Sequence, residues 1–460
     1  MEHQLKFDKI TEYFFSPFNT YIFLNIDEIR YEENIELHGE IIKEMNNLEV
    51  NFKNDTLRVK WGTESAEKLK ISKGVFAPVS KEDSFIMGYL VSDTEDPNSL
   101  PIEEKIQVDI PIKPLKFSNI KFYIHYSGVA QCSVEVEIIG REGITILQLE
   151  TISEQLNLLY KQYFEEISYQ IAVNFTNSVE KLNVPIFNME HMPDVRDFSK
   201  EDKAQYILPW THRVYHIHDD QLFNLKNPGE PFKFLLTPSK KMDVEDFSIY
   251  DNRYIYFGWG HSIIFTKEMD SGFSQTKMQP YDYVRIIEIA QVNWRSVELL
   301  DDIVDNAITW FNLHIDELDL KSIKRNIYEI RDFNLTVKRI LDNFRDVKIT
   351  FDTEKRNLLK ELNDRWLTDD MYEVLEAKLD MIEDTLEDLF QRQKEKKDDS
   401  LNKIVLAFTI ISLVDVFSAL FEIFSTDIYL STILQIIVLI TGVMGLGVLI
   451  LLYLRLAEKK

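Results

Sequence analysis

The sequence predicts an α+β head, a set of long helices after it, and a C-terminal two-helix hairpin that crosses a membrane. Residues 404–424 and 428–454 form two long apolar runs, separated only by residues 425–427. Each run could span a hydrocarbon core of about 30 Å, which takes about 20 helical residues. Before residue 280 the chain has many short runs rich in β-branched and aromatic residues, and after it the residues that break helices are almost absent.

The short runs predict strands, because β-branched and aromatic residues bounded by turn residues are typical of a sheet. They are residues 21–24, 57–61, 120–124, 133–139, 232–236 and 253–257. A helix is predicted between them, over residues 151–182. The head is therefore divided into an α/β lobe over residues 1–150 and, over residues 151–280, a connecting helix with a second α/β lobe.

The helical part is predicted from the distribution of proline and glycine. All 13 prolines lie at or before Pro280, and no glycine occurs between Gly272 and Gly442. Since these residues are the main helix breakers, residues 281–403 are predicted to form a helical stalk. Three helices are expected there: residues 281–314, residues 318–344, and one that starts near Thr353 and continues unbroken into the first apolar run.

The third helix carries an a/d pattern of a coiled coil or helix bundle. Its members are Leu375, Leu379, Ile382, Leu386 and Leu389. Two interpretations stay open, because such a stripe packs either on the other helices of the same subunit or on a neighbouring subunit.

The positions of the cations predict the orientation of the hairpin, since Lys and Arg near membrane ends stay on the cytoplasmic side. They are Arg392, Lys394, Lys396, Lys397 and Lys403 before the first run and Arg455, Lys459 and Lys460 after the second. The start of the chain has no signal-peptide pattern, and the single Cys132 suits a reducing compartment. The prediction is a multi-pass protein of the cell (inner) membrane with both termini in the cytoplasm and membrane lipid as a partner.

This plan resembles the CorA family of pentameric divalent-cation channels. Residues 401–412 (LNKIVLAFTIIS) are similar to the entrance of that family's first span, and residues 447–455 (GVLILLYLR) to the exit of its second. The resemblance implies a homo-oligomer, a pentamer in that family, and a cation channel or transporter gated by its cytosolic head. The family's Gly-Met-Asn signature is missing, because residues 421–425 read FEIFS. Magnesium selectivity is therefore not implied.

Four polar residues of the first apolar run are predicted to line a pore: Ser412, Asp415, Ser418 and Glu422. At about 100° per residue they fall on one helix face, and a carboxylate at membrane depth should face water or a partner. In a symmetric oligomer each acid would form a ring, as in cation pores. Three alternatives stay open: Glu422 reaches the interface, Asp415 is protonated, or both acids bond the second run through Gln435 and Thr441.

The charge balance bounds the partners and suggests weaker sites. A net charge of −25 is unsuited to nucleic acid, whose recognition needs a basic face. Acidic residues such as Asp301, Asp302 and Asp305 could bind a regulatory divalent cation through oxygen ligands, although such runs are ordinarily solvated helix faces. No other cofactor is indicated.

Histidines offer one candidate for a metal site. His216 and His218 would project from the same face of a strand, near enough to share a transition metal. Histidines scattered over the surface are the alternative interpretation.

No catalytic motif indicates an enzyme. Three hypotheses about function follow from the sequence. The first is a CorA-like cation channel or transporter gated by the cytosolic head. The second is a signal-activated membrane effector, of the phage-defence type, whose head binds a small regulator. The third is a membrane-anchored interaction scaffold that conducts nothing.

Overall fold

The computed structural model describes most of the chain before residue 426. The described residues are 5–29, 36–53, 55–62, 85–91, 97–187, 193–236, 244–267, 280–314, 328, 331–341, 353–425 and 440. The chain divides into two compact units, one formed by residues 1–319 and 325–383 and the other by residues 320–324 and 384–460. All the contacts described below lie within the first unit.

A single sheet joins strands from before and after the long central helix. The ten strands among the described residues are β1 (Lys6–Phe23), β2 (Glu49–Phe52), β3 (Asp55–Gly62), β4 (Ile86–Val91), β5 (Ser99–Pro101), β6 (Lys116–Ile124), β7 (Ser127–Thr145), β8 (His212–His218), β9 (Arg253–Phe257) and β10 (His261–Thr266). Their order is β2-β3-β4-β6-β7-β1-β8-β10-β9, with β5 paired to β6. Strand β1 is central and antiparallel to both β7 and β8, whereas β8 and β10 run parallel.

One face of the sheet is covered by an apolar layer. Helix α3 (Ile146–Lys181) follows β7, and its first turn is closed by a capping box between Thr145 and Gln148, which satisfies two of the free N–H groups at a helix start. Alternate residues of β1, among them Phe14 and Phe18, belong to the same hydrophobic cluster as the buried side of α3, as the two-residue period of a strand requires. Shorter helices are α1 (Ile26–Ile29), α2 (Leu37–Asn46), α4 (Lys200–Tyr206) and α5 (Lys233–Leu236).

The opposite face is covered by the helices that follow residue 280. Helix α6 (Pro280–His314) packs on β1 and β7, and helix α7 (Thr353–Arg365) packs on α6. Helix α8 (Thr368–Ser425) comes next. The odd-numbered residues in the middle of β1 face this side, and two of them, Tyr13 and Phe15, pack with buried residues of α6 and α7. The central strands β1 and β7 are therefore enclosed between two helical layers.

Most of the predicted elements are confirmed. Five of the six predicted strands and the helix over 151–182 are present, and the first predicted long helix is α6. Residues 331–341 of the second are helical, and most of its remainder lies outside the described residues. Two predictions about individual elements before the membrane hairpin are wrong.

Residues 232–236 form the end of a 3₁₀ turn and helix α5 instead of a strand. Phe232, Leu235 and Leu236 are the buried residues there, and their three-four spacing is helical. The helix from Thr353 is also not continuous, because it stops at Arg365. Leu367 then has a left-handed backbone with φ of 56°, which a helix interior does not accept, and α8 begins at Thr368.

The structure contradicts the predicted membrane hairpin. The predicted fold class and the predicted multi-pass inner-membrane location are corrected with it. Within the described part of the chain, the structure has no helix whose length and hydropathy would let it cross a membrane. The first apolar run is the end of α8, and Asp415 and Glu422 divide it so that its longest uncharged stretch is residues 404–414. Eleven residues are well short of the roughly 20 that a span takes. The second run, residues 428–454, lies outside the described residues except for Ile440.

A close backbone approach supports one prediction about the fold. A methyl group added at Gly258 would lie 1.9 Å from the carbonyl oxygen of Leu236, whereas one added at Gly260 would meet nothing within 4 Å. We expect Gly258→Ala to lower the free energy of unfolding by about 1–3 kcal/mol, as overpacking does. Urea unfolding followed by circular dichroism measures this change. Gly260→Ala is the matched control, and equal stabilities of the two variants would contradict the prediction.

Candidate functional site: buried polar groups on both faces of the central strands

The interface between the sheet and helix α6 contains a strip of buried polar side chains beside its apolar contacts. Its centre is an ion pair between Arg285 and Glu288, side chains that are 1% and 0% exposed, with Nη1 of Arg285 3.2 Å from Oε2 of Glu288. The guanidinium lies over the ring of Tyr123 at 3.9 Å, and Ser133 on β7 donates a hydrogen bond to the other carboxylate oxygen of Glu288. The pair is thus held to both β6 and β7.

The Glu288 carboxyl is electrostatically perturbed. Burial raises its pKa above the ordinary value, and the charges of Arg285 and Lys121 and the hydrogen bond from Ser133 act in the opposite direction. Removing two charges from water is costly, and the cost is offset only when the groups are paired and hydrogen-bonded. The buried ion pair is therefore weak evidence for added stability. It is better evidence that α6 is held in one particular position on the sheet.

Further hydrogen bonds extend this contact along α6. The side chain of Gln131 donates to Oε1 of Gln291 at 2.9 Å, and the hydroxyls of Ser127 and Ser296 are 2.9 Å apart. All four residues are buried. Together with Ser133, Arg285 and Glu288 they form what we name the α6 seam. A helix held by such pairings has to exchange partners when it moves, because a buried polar group without a partner costs about 1–3 kcal/mol.

The outer side of α6 contacts the start of α8. Lys378 on α8 is paired with both Asp301 and Asp305 on α6, at 2.7 and 2.8 Å. Leu375 and Leu379 are buried in the same cluster as the apolar residues of α6. These two leucines therefore pack within the subunit, which was one of the two interpretations of the a/d stripe. Helix α6 is the element that touches both the sheet and α8.

A second buried network lies on the α3 face of the sheet. Ser153 of α3 donates to Oε1 of Glu12, and it accepts hydrogen bonds from Nη1 of Arg213 and from the hydroxyl of Tyr215, both at 2.8 Å. We name these residues the Glu12 centre. The other carboxylate oxygen, Oε2, is buried and has no hydrogen-bond partner among the described residues. Burial, opposed by Arg213 and Ser153, raises the pKa of Glu12 to about 8.

The histidines on β8 are held by hydroxyl groups of β10. Nε2 of His212 is 2.9 Å from Oγ of Ser262, and Nε2 of His216 is 2.8 Å from Oγ1 of Thr266. The rings of His216 and His218 pack edge to face with centroids 5.2 Å apart, so the two side chains share a face of the strand as the sequence pattern predicts. Burial, followed by the effect of His218, lowers the pKa of His216 to about 3.

The structure locates the other residues predicted for sites. Ser412 is exposed on α8, while the side chains of Asp415, Ser418 and Glu422 lie outside the described residues although their backbone is helical. Asp302, next to the two aspartates paired with Lys378, has a raised pKa, because of burial and then the charge of Glu298. Within the part of the chain that the structure describes, no three His, Cys, Asp or Glu side chains come together as a metal-binding group.

The sequence analysis missed the Glu12 centre and the α6 seam, although both leave a trace. Glu12 occupies the inward position between Ile10 and Phe14 of β1, where the two-residue period predicts an apolar residue. In the first half of α6 the polar residues Arg285, Glu288, Gln291 and Arg295 recur at three- and four-residue spacing among mostly apolar residues. A polar stripe on a helix is ordinarily taken as its solvent face, and only the sheet shows that this stripe is buried.

Comparison with protein-family models gives no match, and comparison with curated proteins gives no significant match.

Proposed function

We propose that the chain is a non-enzymatic regulatory protein, in which the α+β unit senses a small ligand and helix α6 passes the response from the sheet to helix α8. The α6 seam is the observation that carries this proposal. Coupling between distant positions needs a contiguous element with more than one arrangement. A helix attached through paired polar groups satisfies that need better than one attached through an apolar layer, because its hydrogen bonds fix discrete positions.

Two further observations support the proposal. The Glu12 centre and the α6 seam lie on opposite faces of the sheet, and strand β1 takes part in both. It supplies Glu12 to the first, and the carbonyl oxygen of its Phe15 accepts a hydrogen bond from Gln291 of the second. Ionisable groups with perturbed pKa values are enriched at functional sites, and here both networks contain one. The lysine bridge from Lys378 to the two aspartates then connects α6 to α8.

The cation-channel hypothesis depends on the membrane hairpin, so it is not carried forward. The relationship to the CorA family and self-association of the chain stay predictions, based on residues 401–412 and 447–455 and on that resemblance.

The seam is tested by replacing one of its pairs with apolar groups. We expect the double variant Gln131→Leu, Gln291→Leu to keep most of its stability, since exchanging both partners for apolar groups of similar shape is nearly neutral. Hydrogen exchange over residues 368–383 of α8 should change by about 2- to 30-fold, which corresponds to a coupling of about 0.5–2 kcal/mol. Hydrogen-exchange mass spectrometry on the full chain measures this.

Gln155→Leu is the matched control, because Gln155 bonds residue 107 from the α3 side of the sheet. It should leave exchange over residues 368–383 unchanged. The proposal fails if the double variant leaves that exchange unchanged, or if it raises exchange by the same factor throughout the first unit.

A further inference from the structure

An open groove of about 370 Å³ lies beside the first turns of α3. Its walls come from the residue before β1, from α3, and from the segment that leads into α5. The lining residues are Leu5, Ile146, Leu147, Glu150, Pro231 and Phe234. This volume is within the range of about 300–1,000 Å³ that is typical of small-molecule sites.

The walls of the groove are largely apolar and open to water. Leu147 is 65% exposed and Phe234 is 48% exposed, although both are large hydrophobic side chains. A single exposed residue of this kind needs no explanation, but two that line the same concavity indicate a surface that a ligand can cover. An apolar body placed there would remove both side chains from water.

Among the described residues that line the groove, Glu150 is the one that carries a charge. It is partly buried, and it makes neither a hydrogen bond nor an ion pair with any residue that the structure describes. Its charge acts on the Glu12 centre: burial raises the pKa of Tyr215 above its usual range, and the carboxylates of Glu12 and Glu150 contribute in the same direction. The groove thus has apolar walls and one unneutralised negative charge.

We propose that this groove binds a small organic cation with an apolar body, whose ammonium group pairs with Glu150 while its body lies against Leu147 and Phe234. Charge complementarity selects the cation, since a carboxylate beside apolar walls disfavours an anion and gives a neutral molecule no ion pair. Binding at the groove stands without the proposed regulatory function. The step from binding to a change in α8 rests on that function.

Three probes of equal shape and different charge test the site: 2-phenylethylamine, 2-phenylethanol and 3-phenylpropanoate. Titration of the full chain followed by ligand-observed NMR gives their dissociation constants. We expect the amine to bind roughly fivefold more tightly than the alcohol, the upper range for a partly exposed ion pair, and the carboxylate to bind most weakly. Glu150→Gln should remove the advantage of the amine and leave the affinity of the alcohol unchanged.

Two controls separate the charge from the walls. Glu154→Gln, one turn along α3 at an exposed position, should change neither affinity, and Phe234→Ser should weaken the amine and the alcohol alike. Equal affinities for the three probes, no binding of the amine, or an amine preference that survives Glu150→Gln would overturn the site.

Hydrogen exchange over residues 368–383 distinguishes this inference from the proposed function. If the amine binds through Glu150 and exchange in that segment changes, both statements are supported. If it binds through Glu150 and exchange in the segment does not change, the site is supported and its regulatory role is overturned.

Discussion

Replacing Arg285 by methionine should lower the free energy of unfolding by about 3–5 kcal/mol, because it removes the guanidinium that is paired with the buried carboxylate of Glu288. Glu288→Met should also lower it, since it removes the carboxylate from a buried guanidinium. The two residues are 1% and 0% exposed, so water cannot take the place of the lost partner. Urea unfolding at pH 7 measures both changes.

The double variant Arg285→Met, Glu288→Met should recover most of the loss, because buried ion pairs replaced by apolar residues of similar volume are often neutral or stabilising. Arg58→Met is the control, since Arg58 pairs with Glu49 at the surface, where the side chains are 74% and 49% exposed. An exposed pair contributes at most about 1 kcal/mol. Should Arg285→Met cost no more than Arg58→Met, the α6 seam would not be closed to water.

Replacing Glu12 by glutamine should raise stability above pH 8 and leave it little changed near pH 5. The folded-state pKa of Glu12 is about 8, against 4.5 for the free group. Between these values the folded chain binds the proton and the unfolded chain does not. Stability from this group is therefore fully present below pH 4.5 and is lost as the pH rises through 8. At 1.36 kcal/mol per pKa unit, the full loss is on the order of 5 kcal/mol.

Three histidines change the pH dependence of stability in the opposite direction to Glu12. The prediction therefore concerns the difference in stability between the variant and the wild type at each pH. Burial lowers the pKa values of His212, His216 and His261, and their contribution is lost as the pH falls below about 6.5. Thermal unfolding from pH 5 to 9 gives the difference at each pH. Glu137→Gln is the control, because Glu137 lies on β7 opposite Thr11 and its side chain is exposed. This variant should show no such trend. A difference that does not grow between pH 6 and 9 would show that Glu12 is ionised in the folded protein at neutral pH.

The fold can be predicted from the sequence where a local period decides it. Five strands, the helix α3 and the helix α6 follow from spacing and from the positions of proline and glycine, because those signals act within a few residues of the chain. Residues 232–236 show the limit of this reasoning. A five-residue apolar run is compatible with a strand or a buried helical turn, and the buried set Phe232, Leu235 and Leu236 becomes apparent only when the turn packs.

The apolar end of α8 shows another limit. Residues 404–424 look like one apolar run when the whole run is considered together. Asp415 and Glu422 divide that run into stretches that are each shorter than a membrane span. The correction to the predicted fold class and location rests on the described helices, none of which has both the length and the hydropathy needed to cross a membrane.

The sequence by itself determined five of the strands, the long helices α3 and α6, and the positions at which charged groups interrupt apolar patterns. Only the tertiary structure decided that those interruptions meet. Glu12 and Ser153 are 141 residues apart in the chain, and Ser133 and Glu288 are 155 apart. Such contacts depend on strand order and on which helix covers which face, and both are set by the packing of the whole sheet.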